Sequence, residues 1–187
     1  ESMIDDILFF NTAYEINNQN PLGSAAGYGS SFKIDREFTT KELGFDQLKY
    51  NVVASQMNRG KIEKSVSIAI SSIATTLSTF CTDICLYMSQ EFNFITFPDE
   101  LTTGSSIMPH KKNPDVFELI RSKCNSLKSL PNEFSLMSNN LTSGYHRDFQ
   151  IIKKTIIDSI EETKEILNVI CNVIPKIKIT KNLELND

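Results

Sequence analysis

Two stretches of this chain, residues 61–97 and 145–174, contain neither glycine nor proline. These two residue types punctuate secondary structure, so each stretch is free to run as one long helix. The first carries Val66, Ile70, Ile73, Leu77, Phe80, Ile84 and Tyr87. Their spacing alternates between four and three residues, the apolar seam of a helix packed along other helices. From Lys61 to Glu91 such a helix would run roughly 46 Å, at about 1.5 Å per residue. The second carries Ile152, Ile156, Ile160, Thr163, Leu167, Ile170 and Ile174, with the charges of Glu161, Glu162, Lys164 and Glu165 mainly off that line. Pro175 should end or kink it. A third helix is expected over roughly 114–129, opened by Pro114 and Asp115. No strand set is visible. Alternation occurs only in the tail, where Ile177, Ile179 and Leu183 could run extended. The expected class is therefore all-α, a long-helix bundle.

Length sets the next bound. A chain of 187 residues makes one large domain or two small ones. Two such helices are too long to bury all their apolar surface within it, so association with further copies is expected. The 19 basic and 23 acidic residues leave a net charge of −4, which lacks the basic balance that nucleic acid or an anionic membrane surface requires. No unbroken apolar run reaches the roughly 18–20 residues of a membrane span, and serines interrupt Val66–Ile73. Residues 1–10 carry no basic leader or cleavage signal and read as the middle of an amphipathic helix, with Ile4, Ile7, Leu8 and Asn11 on one side. A piece of a longer protein is expected. Cys81 and Cys85 share one helical face at a spacing that could serve a metal, but no further ligand lies near in sequence. They are read as small core residues, and no metal site is expected. With no secretory signal, reduced thiols and a cytoplasmic location follow.

Three loops hold the polar chemistry. Residues 20–31, NPLGSAAGYGSS, offer small side chains that let backbone N–H groups approach an anion. A tight connection between helices explains them equally well. Residues 102–115 gather hydroxyls, a glycine, two prolines, His110, Lys111, Lys112 and Asn113, with Glu118 one turn into the helix that follows. That mixture suits an acidic substrate, and it also suits a solvated surface loop. Residues 143–150, SGYHRDFQ, place Tyr145, Asp148 and Lys153 near the start of the second long helix. Taken alone they are a polar helix start, with Asp148 complementing the dipole.

The second loop, GSSIMPHKKNPD, resembles the signature loop of the fumarase/aspartase superfamily, GSSxMPxKxNP. Within it the chain is most similar to the argininosuccinate lyases, through KKNPDVFELIRSK, NPLGSAAGYG and GYHRDFQIIKK in that order. The resemblance implies an all-α subunit, of which residues 1–187 are the central helical domain, read as one domain. It implies a homotetramer, with four central domains in a twenty-helix bundle and active sites that draw on three subunits. The implied reaction is reversible β-elimination of argininosuccinate to fumarate and arginine, with no metal or organic cofactor. The related alternatives are another lyase of the superfamily, such as adenylosuccinate lyase, or a crystallin-like structural protein.

The resemblance also assigns roles. Ser105 matches the serine taken as base. Lys111 matches the lysine that meets the substrate carboxylate, and Asn113 a carboxylate-binding amide. Glu118 matches the acid paired with a catalytic histidine, which in the family belongs to a THxQ motif not found in these 187 residues. Tyr145, Gln150, Lys153 and Ser24 match substrate contacts. His110 and His146 are read as loop and helix-start residues without chemistry. There are two departures. Residues 55–61, SQMNRGK, stand where members carry an SERDF-like run, so that Arg59 keeps the arginine's place among different neighbours, and Thr79 stands where an arginine is usual.

Overall fold

The computed structural model describes residues 1–104, 106–108 and 112–180. Seven α-helices account for most of them: α1 (Ser2–Asn17), α2 (Arg36–Glu42), α3 (Val52–Met57), α4 (Lys61–Tyr87), α5 (Asp115–Leu127), α6 (Leu130–Met137) and α7 (Phe149–Val173). The strands are two-residue pieces. β1 (Gln19–Asn20) pairs in parallel with β2 (Gln47–Leu48), and β3 (Ile95–Thr96) pairs antiparallel with β4 (Lys178–Ile179). By contact the chain divides into two compact units, 1–72 with 129–158 and 73–128 with 159–187. The all-α expectation holds, and the extended tail is found at Ile179, while Leu183 lies outside the described residues.

In the first unit α1 lies along the first half of α4 through its polar side. Ser72 Oγ donates to Asp6 Oδ1, and Asn17 Nδ2 donates to Ala13 O (2.7 Å) and Ser65 Oγ (3.1 Å). Asp6 and Ala13 are buried, whereas Ile4, Ile7 and Leu8 stay exposed. The helix expected there exists, but it is not amphipathic: Met3, Ile4, Ile7, Leu8, Phe9, Phe10, Tyr14 and Ile16 are spread around it rather than along one face, and all stay exposed within the unit. Asn20 is fully buried, donating to Thr40 Oγ1 (2.9 Å) and accepting from Leu22 N (3.0 Å), which fixes the start of the first glycine-rich loop. Asp35 and Asn51 cap α2 and α3 by accepting from Phe38 N and Ala54 N.

The second unit is built on the C-terminal half of α4. Ile73, Leu77 and Ile84 of the seam are buried there together with Cys81, whereas Phe80 is half-buried and Tyr87, at the helix end, is exposed. The helix stops at Tyr87, four residues before Glu91. Asn93 takes a left-handed φ of 45°, and Phe94 N donates back to Tyr87 O (2.9 Å). The turn clusters the rings of Tyr87, Phe92 and Phe94, whose centroids lie 5.4 to 6.4 Å apart. Phe97 then packs on Phe117 of α5 at 4.8 Å, and α5 buries Phe117, Ile120, Cys124 and Leu127 at helical spacing.

Two expectations need correction. Along α7 the buried positions are Phe149, Ile152, Ser159, Thr163, Ile166, Ile170 and Val173, while Ile160 and Ile174 are exposed. The predicted line holds at Ile152, Thr163 and Ile170, while Ser159, Ile166 and Val173 are buried one residue before the predicted Ile160, Leu167 and Ile174. Thr163 is buried at no polar cost because its hydroxyl donates to Ser159 O (2.7 Å). As expected, α7 gives way before Pro175, in a 3-10 turn at Ile174–Lys176. Secondly, α4 is long and apolar enough, by length and composition, to cross a membrane, as no other helix is among the described residues. Its serines interrupt an apolar run without lowering the average over the helix enough to exclude it. The same composition suits a core helix, since Ser67 is buried with its hydroxyl on Lys64 O.

Candidate active site

The segment that holds the signature loop begins and ends at one isolated bridge. Thr103 N donates to Asn113 O (3.3 Å), and Asn113 N donates to Thr103 O (2.9 Å). Two side-chain contacts reinforce this neck: Thr103 Oγ1 with Asp115 Oδ2, and Lys112 Nζ with Asp99 Oδ1. Ser105 follows the bridge by two residues and Lys111 precedes it by two. Ser105, Lys111 and His110 themselves lie outside the described residues. On either side of the neck in sequence, Phe97 and Phe117 are both buried and pack on each other.

Asn113 and Glu118 line one cavity of about 630 Å³ in the second unit. Its other walls include Lys112, Met108, Cys85 and Ser89. Glu118 sits in the first turn of α5, where the helix dipole favours a carboxylate. Ser89 Oγ is buried in this wall without a hydrogen-bond partner among the described residues. Burial raises the Cys85 thiol above its ordinary range, with Arg121 opposing and Glu118 assisting, so this thiol is no ready nucleophile. Cys81 and Cys124 are buried core residues, and all four cysteines are free.

The remaining predicted residues belong to the first unit. Ser24 is buried in the glycine-rich loop, where its carbonyl accepts from Gly27 N (3.2 Å) and Gly29 N (3.0 Å). Its hydroxyl donates to Ala25 O at 3.3 Å. Left-handed φ angles at Gly23, Ala25, Gly27 and Gly29 coil this segment tightly. Tyr145 is exposed, and its hydroxyl accepts from Gln150 Nε2 at 3.4 Å. Lys153 follows one turn along α7, solvent-exposed and without an ion pair among the described residues. The structure thus joins Asn113 to Glu118 and Tyr145 to Gln150.

Sequence reasoning missed two supports. Arg36 ties the first loop down by donating to Leu22 O (2.8 Å), Lys49 O (2.7 Å) and Tyr50 O (3.1 Å). The Thr103–Asn113 neck was the other. A bridge of one residue pair leaves no periodic signal, and an arginine that binds main-chain carbonyls leaves no motif.

A mostly helical chain with a loop of this kind invites comparison with known proteins. A family model described as Lyase matches residues 6–127, and the chain belongs to that lyase family. It is 55% identical over 183 residues to the argininosuccinate lyase of Phocaeicola vulgatus, covering 98% of this chain and 41% of that protein. The argininosuccinate lyase of Thermotoga neapolitana is 40% identical over 181 residues, covering 97% of this chain and 46% of that protein. The chain therefore spans less than half the length of these curated relatives. Among solved structures, class II fumarase from Schistosoma mansoni superposes with a TM-score of 0.82 at 15% identity, over 96% of this chain and 42% of that one. An EDDS lyase solved with formate gives 0.77 at 22%, over 94% and 34%. At such identities these likenesses establish the fold.

Proposed function

We propose that the protein carrying this chain is an argininosuccinate lyase, which eliminates fumarate from argininosuccinate and leaves arginine. The observation that carries the reading is the 55% identity to a protein of that name over nearly the whole chain, together with GSSIMPHKKNPD in a segment closed by the Thr103–Asn113 bridge. The reaction removes a proton from the carbon beside a carboxylate and builds negative charge on that carboxylate. Such a step needs a base and fixed positive charge where the charge develops. In this reading Ser105 takes the proton. A serine is a poor base at neutral pH, so its alkoxide needs cation and N–H support when the loop closes on substrate. Lys111 and Asn113 hold the carboxylate. Glu118 orients a histidine supplied from outside these 187 residues. Ser24, Tyr145, Gln150 and Lys153 hold the rest of the substrate.

The active unit in this proposal is a cytoplasmic homotetramer whose sites draw on three subunits. Apolar α1 side chains left uncovered within the first unit, among them Ile4, Ile7, Leu8 and Tyr14, support association of this kind. The isolated 187-residue chain is then inactive. The test is ultraviolet absorbance of fumarate formed by the full-length protein from argininosuccinate, with adenylosuccinate offered in parallel. Turnover of argininosuccinate alone is expected. Turnover of adenylosuccinate alone would move the protein to a sister activity, and absence of both would leave the structural, crystallin-like reading.

A further inference from the structure

Among the described residues, the cavity that Asn113 and Glu118 share has acidic walls. Two carboxylates line it, Glu91 and Glu118, against one cation, Lys112. Lys112 is already neutralised, because its Nζ pairs with Asp99 Oδ1. Glu91 and Glu118 have no ion pair among the described residues. Carboxylates in a concave site focus a negative potential into it, which favours a cation. Glu118 is assigned to a histidine from outside these 187 residues, and that leaves Glu91 unaccounted for.

Glu91 sits in a braced turn. Asn93 N donates to Ser89 O (2.8 Å), and Phe94 N donates back to Tyr87 O (2.9 Å). The rings that flank it in sequence, Tyr87, Phe92 and Phe94, pack on one another. Two residues before it, Ser89 Oγ is buried in the same wall without a hydrogen-bond partner among the described residues. A buried hydroxyl is costly unless something supplies that partner. Met88, Ile95 and Met108 give the cavity an apolar part.

We propose that Glu91 recognises the guanidinium of argininosuccinate and so determines specificity, an inference that rests on the lyase assignment. The bond that breaks joins a guanidino nitrogen to the carbon beside the one that loses its proton. The guanidinium therefore lies within a few bonds of the carboxylate that Asn113 holds, in the cavity that Asn113 lines. Its planar fork of N–H donors matches a carboxylate, and Ser89 Oγ can accept a further bond. The methylenes behind it suit Met88, Ile95 and Met108. The purine of adenylosuccinate presents no such cation to Glu91.

The experiment uses the full-length protein with arginine and with citrulline, in which an uncharged ureido group replaces the guanidinium. Calorimetric titration of the parent should show arginine binding at least about tenfold more tightly than citrulline. Glu91→Gln should weaken arginine about tenfold or more and leave citrulline within about twofold, which abolishes the preference. In turnover it should raise KM for argininosuccinate about tenfold with kcat within about twofold, the pattern of lost binding rather than lost chemistry. Glu91→Ala, run beside it, should lose the same preference, and Glu161→Gln, outside the cavity, should keep it. Circular dichroism matching the parent shows that the fold survives. A parent without the preference, variants at Glu91 that keep it, or equal weakening of both ligands would each overturn the proposal. Failure of the lyase assignment is read separately, as a parent that forms no fumarate from argininosuccinate.

Discussion

Gly60 has φ of +81°, and a Cβ there would stand 2.7 Å from Phe149 Cε1 and 3.1 Å from Ser138 Cβ. Both the backbone and the space exclude a side chain. Gly60→Ala should cost at least about 1 kcal/mol, read as a lower urea midpoint with an unchanged slope. Cys81 makes a different statement. Burial, helped by Cys124 and Cys85 and opposed by Arg121, pushes its thiol up to about 12 from an ordinary 9.0. Because the folded value is the higher, the folded state holds the proton more tightly. That contribution is complete below pH 9 and is lost as pH rises from there through 12. Chemical denaturation across that window should show a shallower loss of stability in Cys81→Ala than in the parent. Cys81 was legible as a core residue, since no ligand stood near it in sequence. Arg36 was not legible, because its partners Leu22 O, Lys49 O and Tyr50 O are brought together only by the β1–β2 pairing.

Among the elements, the long helices were the most readable. The seam at Ile70, Ile73, Leu77 and Ile84 is buried, and α7 stops before Pro175. The early end of α4 and the partly displaced line of α7 have physical causes. The end of α4 is set by Asn93 and the return of Phe94 N to Tyr87 O, which depend on a ring cluster rather than on a stop residue. Along α7 the expected Ile152, Thr163 and Ile170 are buried, the Thr163 hydroxyl being satisfied on the preceding turn at Ser159 O, while Ser159, Ile166 and Val173 are buried in place of Ile160, Leu167 and Ile174. At this scale Arg36→Ala should free the first glycine-rich loop. A cost of about 1–3 kcal/mol is expected for its charge-assisted bonds, with faster amide exchange at Gly27 and Gly29. Arg36→Lys should not restore protection, because one ammonium cannot reach three carbonyls in a fixed fork. Unchanged exchange in Arg36→Ala would show that the loop holds itself.

For the whole molecule, the candidate site was legible in part. GSSIMPHKKNPD marked the segment, and Asn113 and Glu118 line one cavity beside it. The neck at Thr103 and Asn113 became visible only in three dimensions, as did the polar side by which α1 meets α4. That contact leaves Ile4, Ile7 and Leu8 uncovered within the unit. Sedimentation of the 187-residue chain should therefore show association, and Ile7→Glu/Leu8→Glu should shift it toward monomer. A parent chain that sediments as a monomer at all concentrations would contradict the proposed assembly. The central claim is that the bridged segment supplies the cation for an elimination. Its most direct measurement is single-turnover fumarate formation by the full-length protein and by Lys111→Ala. The expected result is a rate at least about 100-fold lower in the variant, about 2.7 kcal/mol of lost stabilisation of developing charge, with sedimentation unchanged from the parent. A variant that forms fumarate as fast as the parent would contradict the account.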